Sequence, residues 1–141
     1  FLPGAVFHHM AAHWDARGVA GTKTYASAAD ATRFVVQCFS TRTGELLAVI
    51  DANVLGQIRT GAATGLAARH LAPNAPRTAA LIGTGFQAAT QAEALVAARP
   101  SLRTLRVYGR DPERRRAFCD AAAARLGIAV EPAESVETAV R

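Results

Sequence analysis

A chain of 141 residues holds one ordinary domain, or one and part of another. Half of it is hydrophobic, which allows a packed core and argues against disorder. The formal net charge is +5, yet aromatics are scarce and no basic run alternates with them, which argues against a nucleic-acid binder; no apolar run is long enough to span a membrane.

Of the 16 basic residues, Lys23 is the only lysine. An ammonium is a compact charge that can give up a proton, and a guanidinium is not. Lys23 is therefore either a position where arginine would not serve or a chance survivor of an arginine-rich composition. Cys38 and Cys119 lie in apolar stretches without disulfide or zinc spacing, which fits a reducing cytosol. The chain starts with Phe, and "FLPGAVF" lacks the n-region and length of a signal peptide. A cytoplasmic segment internal to a larger protein is expected.

Residues 1–20 carry His8, His9 and His13 and read as a helix or loop. His9 and His13, four apart, could share a helix face. A zinc-protease motif would need a glutamate after the first histidine, and Met10, Ala11 and Ala12 stand between them, so no metal site is expected. From Gly21 short extended runs follow: "KTYAS", "RFVVQCFS" and "ELLAVID". Alternation and β-branched residues, with "STRTGE" between the last two, predict a β-hairpin.

Asp51 or Asn53 opens a predicted helix through "ANVLGQIRTGAATGLAARHLA", with Val54, Leu55, Ile58, Ala62, Leu66 and Leu71 near helical spacing. Its small residues Gly61, Ala62, Ala63 and Gly65 would admit another backbone or a ligand. Pro73 and Pro76 stop it, and "APNAPR" is the clearest linker. Then comes an α/β texture: strand "TAALIG", helix "FQAATQAEALVAAR", strand "TLRVYG", helix "PERRRAFCDAAAARLG", strand "IAVEP" and the start of a third helix, "ESVETAVR". This is βαβαβ, the first half of a Rossmann-type parallel sheet. The division expected is 1–77, part of an α+β domain, and 78–141, half of a nucleotide-binding domain.

Gly83-Thr84-Gly85-Phe86-Gln87-Ala88 is G-x-G-x-x-A between a strand and a helix. Gly83 permits the tight turn, Gly85 lets a pyrophosphate approach the backbone, and Ala88 lets the helix pack on the strand. The helix start supplies N–H groups to phosphate. At the end of the second strand, where an acidic residue would bind the ribose of NAD, stand Gly109 and Arg110. Arg110 can pair with a 2′-phosphate, or be a solvated charge; Asp111 before Pro112 suits a helix cap. NADP(H) is therefore preferred over NAD(H). Arg114, Arg115 and Arg116 read as a solvated helix face.

"GTKTY", then "DANVLGQIRTGAATGLAARHLA", then "ALIGTGFQAATQ", in this order and spacing, resembles the ornithine cyclodeaminase/mu-crystallin family over nearly the whole chain. The resemblance implies that 1–77 begins a substrate-binding and dimerisation domain into which the nucleotide-binding domain is inserted. It implies that Lys23 contacts the substrate near its carboxylate and reacting nitrogen. Arg59 would hold the carboxylate and, with Thr60, lie beside the cofactor. Thr60 as a packing residue stays open. The family's acidic catalytic residue is expected beyond Arg141, and a further substrate arginine before Phe1.

The implied chemistry is hydride transfer between nicotinamide C4 and the α-carbon of an amino acid or cyclic imine, as imine reductase, amino-acid dehydrogenase or ornithine cyclodeaminase. A homodimer acting on a small substrate, without nucleic acid or membrane, is implied, with the 141-residue piece inactive by itself. The alternative is a crystallin-like protein that holds NADPH and a small ligand without turnover.

Overall fold

In the computed structural model, residues 6–28 and 31–141 are described. By contact density the chain divides into two compact units, 1–56 and 57–141.

The first unit is a four-stranded antiparallel meander in the order β1-β2-β3-β4, formed by β1 (Val6–Trp14), β2 (Val19–Ala28), β3 (Ala31–Ser40) and β4 (Leu46–Asp51). β1 corrects the helix-or-loop expectation for the histidine segment. Its alanines, histidines and methionine give no period-2 signal, because β1 is an edge strand exposed on both faces. Nine paired positions with β2, from Val6↔Ser27 to Trp14↔Val19, override local propensity. His9 and His13 still share a face, through the period of a strand. Gly18, at φ 65°, closes the β1–β2 connection.

The expected hairpin is β3–β4. Ser40 Oγ accepts from the N–H groups of Arg42 and Thr43, and Gly44 takes φ 76°. Sheet pairing runs on from Val35↔Asp51, with a bulge at Cys38/Phe39.

Helix α1 (Asn53–Leu71) starts where Asp51 and Asn53 predict. Asp51 Oδ1 accepts from the Asn53 N–H at 3.2 Å, while Asn53 Oδ1 accepts from the Phe34 N–H at 3.0 Å. At its other end the Arg99 guanidinium donates to the carbonyls of Arg69, Ala72 and Pro73, which satisfies acceptors a helix end leaves orphaned.

The second unit carries the predicted βαβαβ. β5 (Thr78–Ile82), β6 (Thr104–Tyr108) and β7 (Ala129–Pro132) form a parallel sheet in that order. They alternate with α2 (Ala88–Ala98) and α3 (Pro112–Leu126), and α4 (Val136–Val140) follows. Among the described strands only the central one, β6, carries buried side chains, at Leu105 and Val107; β5, at an edge of the three strands, is half-buried along Ala79–Leu81. Leu105 and Val107 join Ala92 of α2 and Cys119 of α3 in the core. Leu105 and Val107 each contribute about 1.5–3 kcal/mol on burial.

Burial pushes the Cys119 thiol above its ordinary value of 9.0, Asp120 adds to the rise and Arg115 opposes it. A raised thiol favours the folded state at pH below its unfolded value, and that contribution fades as pH rises through the folded one. Iodoacetamide at pH 8 should label Cys119 only after urea unfolding, as read by peptide mass spectrometry.

The small face of α1 receives a backbone. A Cβ built on Gly61 would stand 2.5 Å from the Thr90 carbonyl oxygen, and one on Gly65 would stand 2.9 Å from that of Ala94. Neither oxygen belongs to a movable side chain. Gly61→Ala should therefore cost about 1–3 kcal/mol of stability, and Gly65→Ala less. A thermal-melting series with Gly61→Ala no lower than wild type would contradict this packing.

Candidate functional site: the glycine turn and the end of β6

At the end of β5 the chain must reverse into α2 within a few residues. Gly83 takes φ 109°, a conformation L side chains rarely adopt, and its N–H donates to the Tyr108 carbonyl at 2.7 Å. A Cβ on Gly83 or Gly85 would meet nothing within 4 Å, so the space before this backbone is open. The Ala88 N–H returns to the Gly85 carbonyl at 3.0 Å, and Ala88 is buried at the start of α2. Phe86 is exposed and its carbonyl accepts from Gln57 Nε2. The Gln87 carbonyl accepts from Thr90 Oγ1 and the Gln91 N–H, and its side-chain oxygen is buried without a partner.

Thr84 leans on Gly109 at the end of β6. A Cβ on Gly109 would lie 3.0 Å from Thr84 Cγ2 and Oγ1, so a side chain there would press on that of Thr84. Gly83, Thr84, Gly85, Gly109, Arg110 and Arg114 line one cavity of about 480 Å³. It has an open glycine backbone at one side and exposed arginine at the other. Those features fit a dinucleotide: N–H groups and helix dipole for the pyrophosphate, guanidinium for an added phosphate. Asp111 does cap α3, accepting from the N–H groups of Glu113 and Arg114 at 3.0 Å each, with Pro112 next.

The arginine run divides. Arg114 faces the cavity. Arg115 corrects the solvated-face reading: it is 6 % exposed, donates to the Gly109 carbonyl and pairs with Glu134. Arg116 is exposed. Composition hides these differences; the signal lies in helical phase, since Arg115, Cys119 and Ala122 form the buried stripe of α3. A second groove of about 500 Å³ runs between α1 and α2, lined by Ile58, Ala62, Leu66 and Ala94; it is mainly apolar and lacks the glycine turn.

Lys23 lies mid-strand on β2, half-buried, across from Met10 on β1 and Val36 on β3. Its Nζ stands 4.9 Å from the Phe34 ring centroid and 5.5 Å from that of Tyr25. His8, Tyr25 and Phe34 form an aromatic ladder across three strands, His8 stacked on Tyr25 at 4.2 Å between centroids and Phe34 tilted against Tyr25 at 4.8 Å. Such an aromatic floor holds an ammonium by cation–π attraction while leaving its protons available. Arg59 is exposed on α1, and Thr60 is half-buried beside it. His9 Nδ1 meets Thr24 Oγ1 at 3.0 Å, and His13 lies 3.7 Å from Asp15. Among the described residues no three His, Cys, Asp or Glu side chains cluster as metal ligands, and no helix is long and apolar enough to cross a membrane.

Residues 4–141 match the ornithine cyclodeaminase/mu-crystallin family. The chain is 40 % identical over 84 residues to the Delta(1)-pyrroline-2-carboxylate reductase of Bacillus cereus, covering 60 % of this chain and 26 % of that protein. It is 42 % identical over 86 residues to the Delta(1)-pyrroline-2-carboxylate/Delta(1)-piperideine-2-carboxylate reductase of Azospirillum brasilense, covering 61 % and 27 %. A probable ornithine cyclodeaminase from Bordetella pertussis Tohama I superposes with a TM-score of 0.88 at 31 % identity, over 100 % of this chain and 44 % of that one. An archaeal alanine dehydrogenase dimer with bound NAD gives 0.82 at 29 % identity, over 96 % and 46 %. The chain thus spans less than half the length of these relatives.

The local geometry makes its own demand. Asp111→Ala removes an acceptor for two N–H groups and should lower stability by about 1 kcal/mol, seen as a reduced thermal midpoint. An unchanged midpoint would mean that water replaces the cap.

Proposed function

The chain belongs to the ornithine cyclodeaminase/mu-crystallin family, and from that premise we propose that the whole protein is an NAD(P)-dependent enzyme working by hydride transfer at the α-carbon of an amino acid or cyclic imine. The observation that carries this is the open glycine backbone facing arginine across one cavity, in a chain matched to the family from residue 4 to its end. Among the family's chemistries we favour imine reduction, because curated relatives at 40–42 % identity are named as reductases of cyclic imino acids. The same premise supports a homodimer in the cytoplasm, and a functional division at 1–77 and 78–141.

Gly83, Thr84, Gly85, Phe86, Gln87 and Ala88 would hold the pyrophosphate, by backbone N–H groups and the start of α2. Gly109 leaves room for the ribose, and Arg110 takes the 2′-phosphate, hence NADP(H) over NAD(H). When bound, the nicotinamide supplies the hydride chemistry. The chain's own residues bind, orient and protonate. Arg59, with a planar donor fork, grips the substrate carboxylate with both oxygens engaged; with Thr60 it also borders the cofactor. Fixing the carboxylate fixes the α-carbon against the hydride path. Lys23 contacts the substrate and moves a proton at its nitrogen. A lysine suits this where arginine would not, because guanidinium keeps its protons.

Nucleotide fluorescence titration of the whole protein tests the cofactor half. NADPH should bind more tightly than NADH, and Arg110→Ala should erase about tenfold to a hundredfold of that preference, the worth of charge-assisted hydrogen bonds. Binding of neither nucleotide would refute the reading of Gly83–Ala88. Reduction of Δ1-pyrroline-2-carboxylate tests the other half: Arg59→Ala should lower kcat/KM by about tenfold to a hundredfold. Tight NADPH binding without turnover of any cyclic imine or amino acid would instead indicate a crystallin-like binding protein.

A further inference from the structure

Arg115 occupies a core position on α3, in line with buried Cys119 and Ala122, where an apolar residue would ordinarily stand. Taking a guanidinium out of water is costly unless it is well compensated. Its acidic partner does not explain the burial, because the Glu134 side chain is 83 % exposed and would be well solvated alone. The backbone offers a better reason. β7 ends at Pro132, opposite Val107, and the Ala133 N–H takes the Val107 carbonyl. On its other side β6 spends its last contact between the Tyr108 carbonyl and the Gly83 N–H. The next carbonyl, that of buried Gly109, lies beyond both ladders and requires a donor. Arg115 Nη1 supplies it at 3.2 Å, while Nη2 meets both Glu134 oxygens at 3.0 and 3.1 Å.

Gly109 also packs on Thr84 of the glycine turn, and its peptide leads directly to Arg110. One guanidinium therefore joins the segments after β6 and β7, and through Gly109 and Thr84 reaches the segment after β5. We propose that Arg115 is a positioning residue for cofactor discrimination, anchored by Glu134 and acting through the Gly109 carbonyl to set where Arg110 stands. This rests on the assignment of Gly83–Ala88 and Arg110 to the nucleotide. Arg115 itself touches no nucleotide; its effect passes through the peptide that carries Arg110.

The test is nucleotide titration of the whole protein as wild type, R115K and E134A, each repeated with R110A, with thermal midpoints alongside. Lysine keeps the charge but puts a single nitrogen where the guanidinium sends one to Gly109 and another to Glu134. R115K should cut the ratio of NADPH to NADH affinity by about tenfold, the equivalent of one misplaced charge-assisted hydrogen bond. NADH affinity should change little. E134A, altering an exposed carboxylate, should lower the ratio in the same direction by less, and it carries the test even if R115K does not fold. With R110A present, neither change should move the ratio further. An unchanged ratio in E134A, or a fall in midpoint with equal loss of both nucleotides in R115K, overturns the proposal and leaves Arg115 a structural residue. A wild type without NADPH preference, or a preference that survives R110A, marks failure of the underlying cofactor assignment, and the proposal falls with it.

Discussion

The second unit depends on one backbone event: Gly83 turning out of β5 at φ 109° while its N–H stays bonded to the Tyr108 carbonyl. A side chain at Gly83 would strain that φ whatever space surrounds it. Because the N–H is held by β6, the turn is referenced to the central strand, whose Leu105 and Val107 are the largest fully buried side chains among the described residues. The open space before Gly83 and Gly85 is therefore backed by the best-packed part of the sheet. A rigid floor under an open backbone suits a phosphate-binding turn, since N–H groups bind an anion best when already oriented.

The two units solve backbone satisfaction in different ways. In the first, strands pair with sequence neighbours across short turns, and nearly every side chain stays half-buried or exposed. Large apolar groups such as Phe7, Met10, Trp14 and Val49 are left in the open. In the second, parallel pairing forces crossover helices, and these create the core. The Glu93–Arg125 pair at 2.6 Å and the Arg99 contacts to the end of α1 tie helices together at the surface, where each is worth little singly.

How much could be read in advance followed from where periodicity was strong. The βαβαβ alternation and the Asp111–Pro112 cap have local causes, and both are present where the residues predict them. The histidine segment failed because β1 has no buried face to write a pattern; its pairing with β2 is wholly non-local. The small face of α1 was legible as a place of close approach, but its partner, the backbone of α2 at Thr90 and Ala94, was not. Lys23 was conspicuous as the lone lysine, yet its aromatic floor of Tyr25 and Phe34 needed the strand register to appear.

The arginine run shows the limit of composition most sharply. Three adjacent identical side chains meet three environments, because each step along a helix rotates the direction by about 100°. Arg114 turns to the cavity, Arg115 into the core and Arg116 to solvent. An arginine-rich composition makes any one of them look incidental. Burial reverses that judgement for Arg115: a charged group that has lost its water must be compensated, and the compensating atom identifies what it is for. Here that atom is the carbonyl left over when β7 stops short of Gly109. The unequal strand ends create an unsatisfied acceptor, the acceptor draws in the guanidinium, and the guanidinium fixes the peptide on which recognition of a nucleotide would turn.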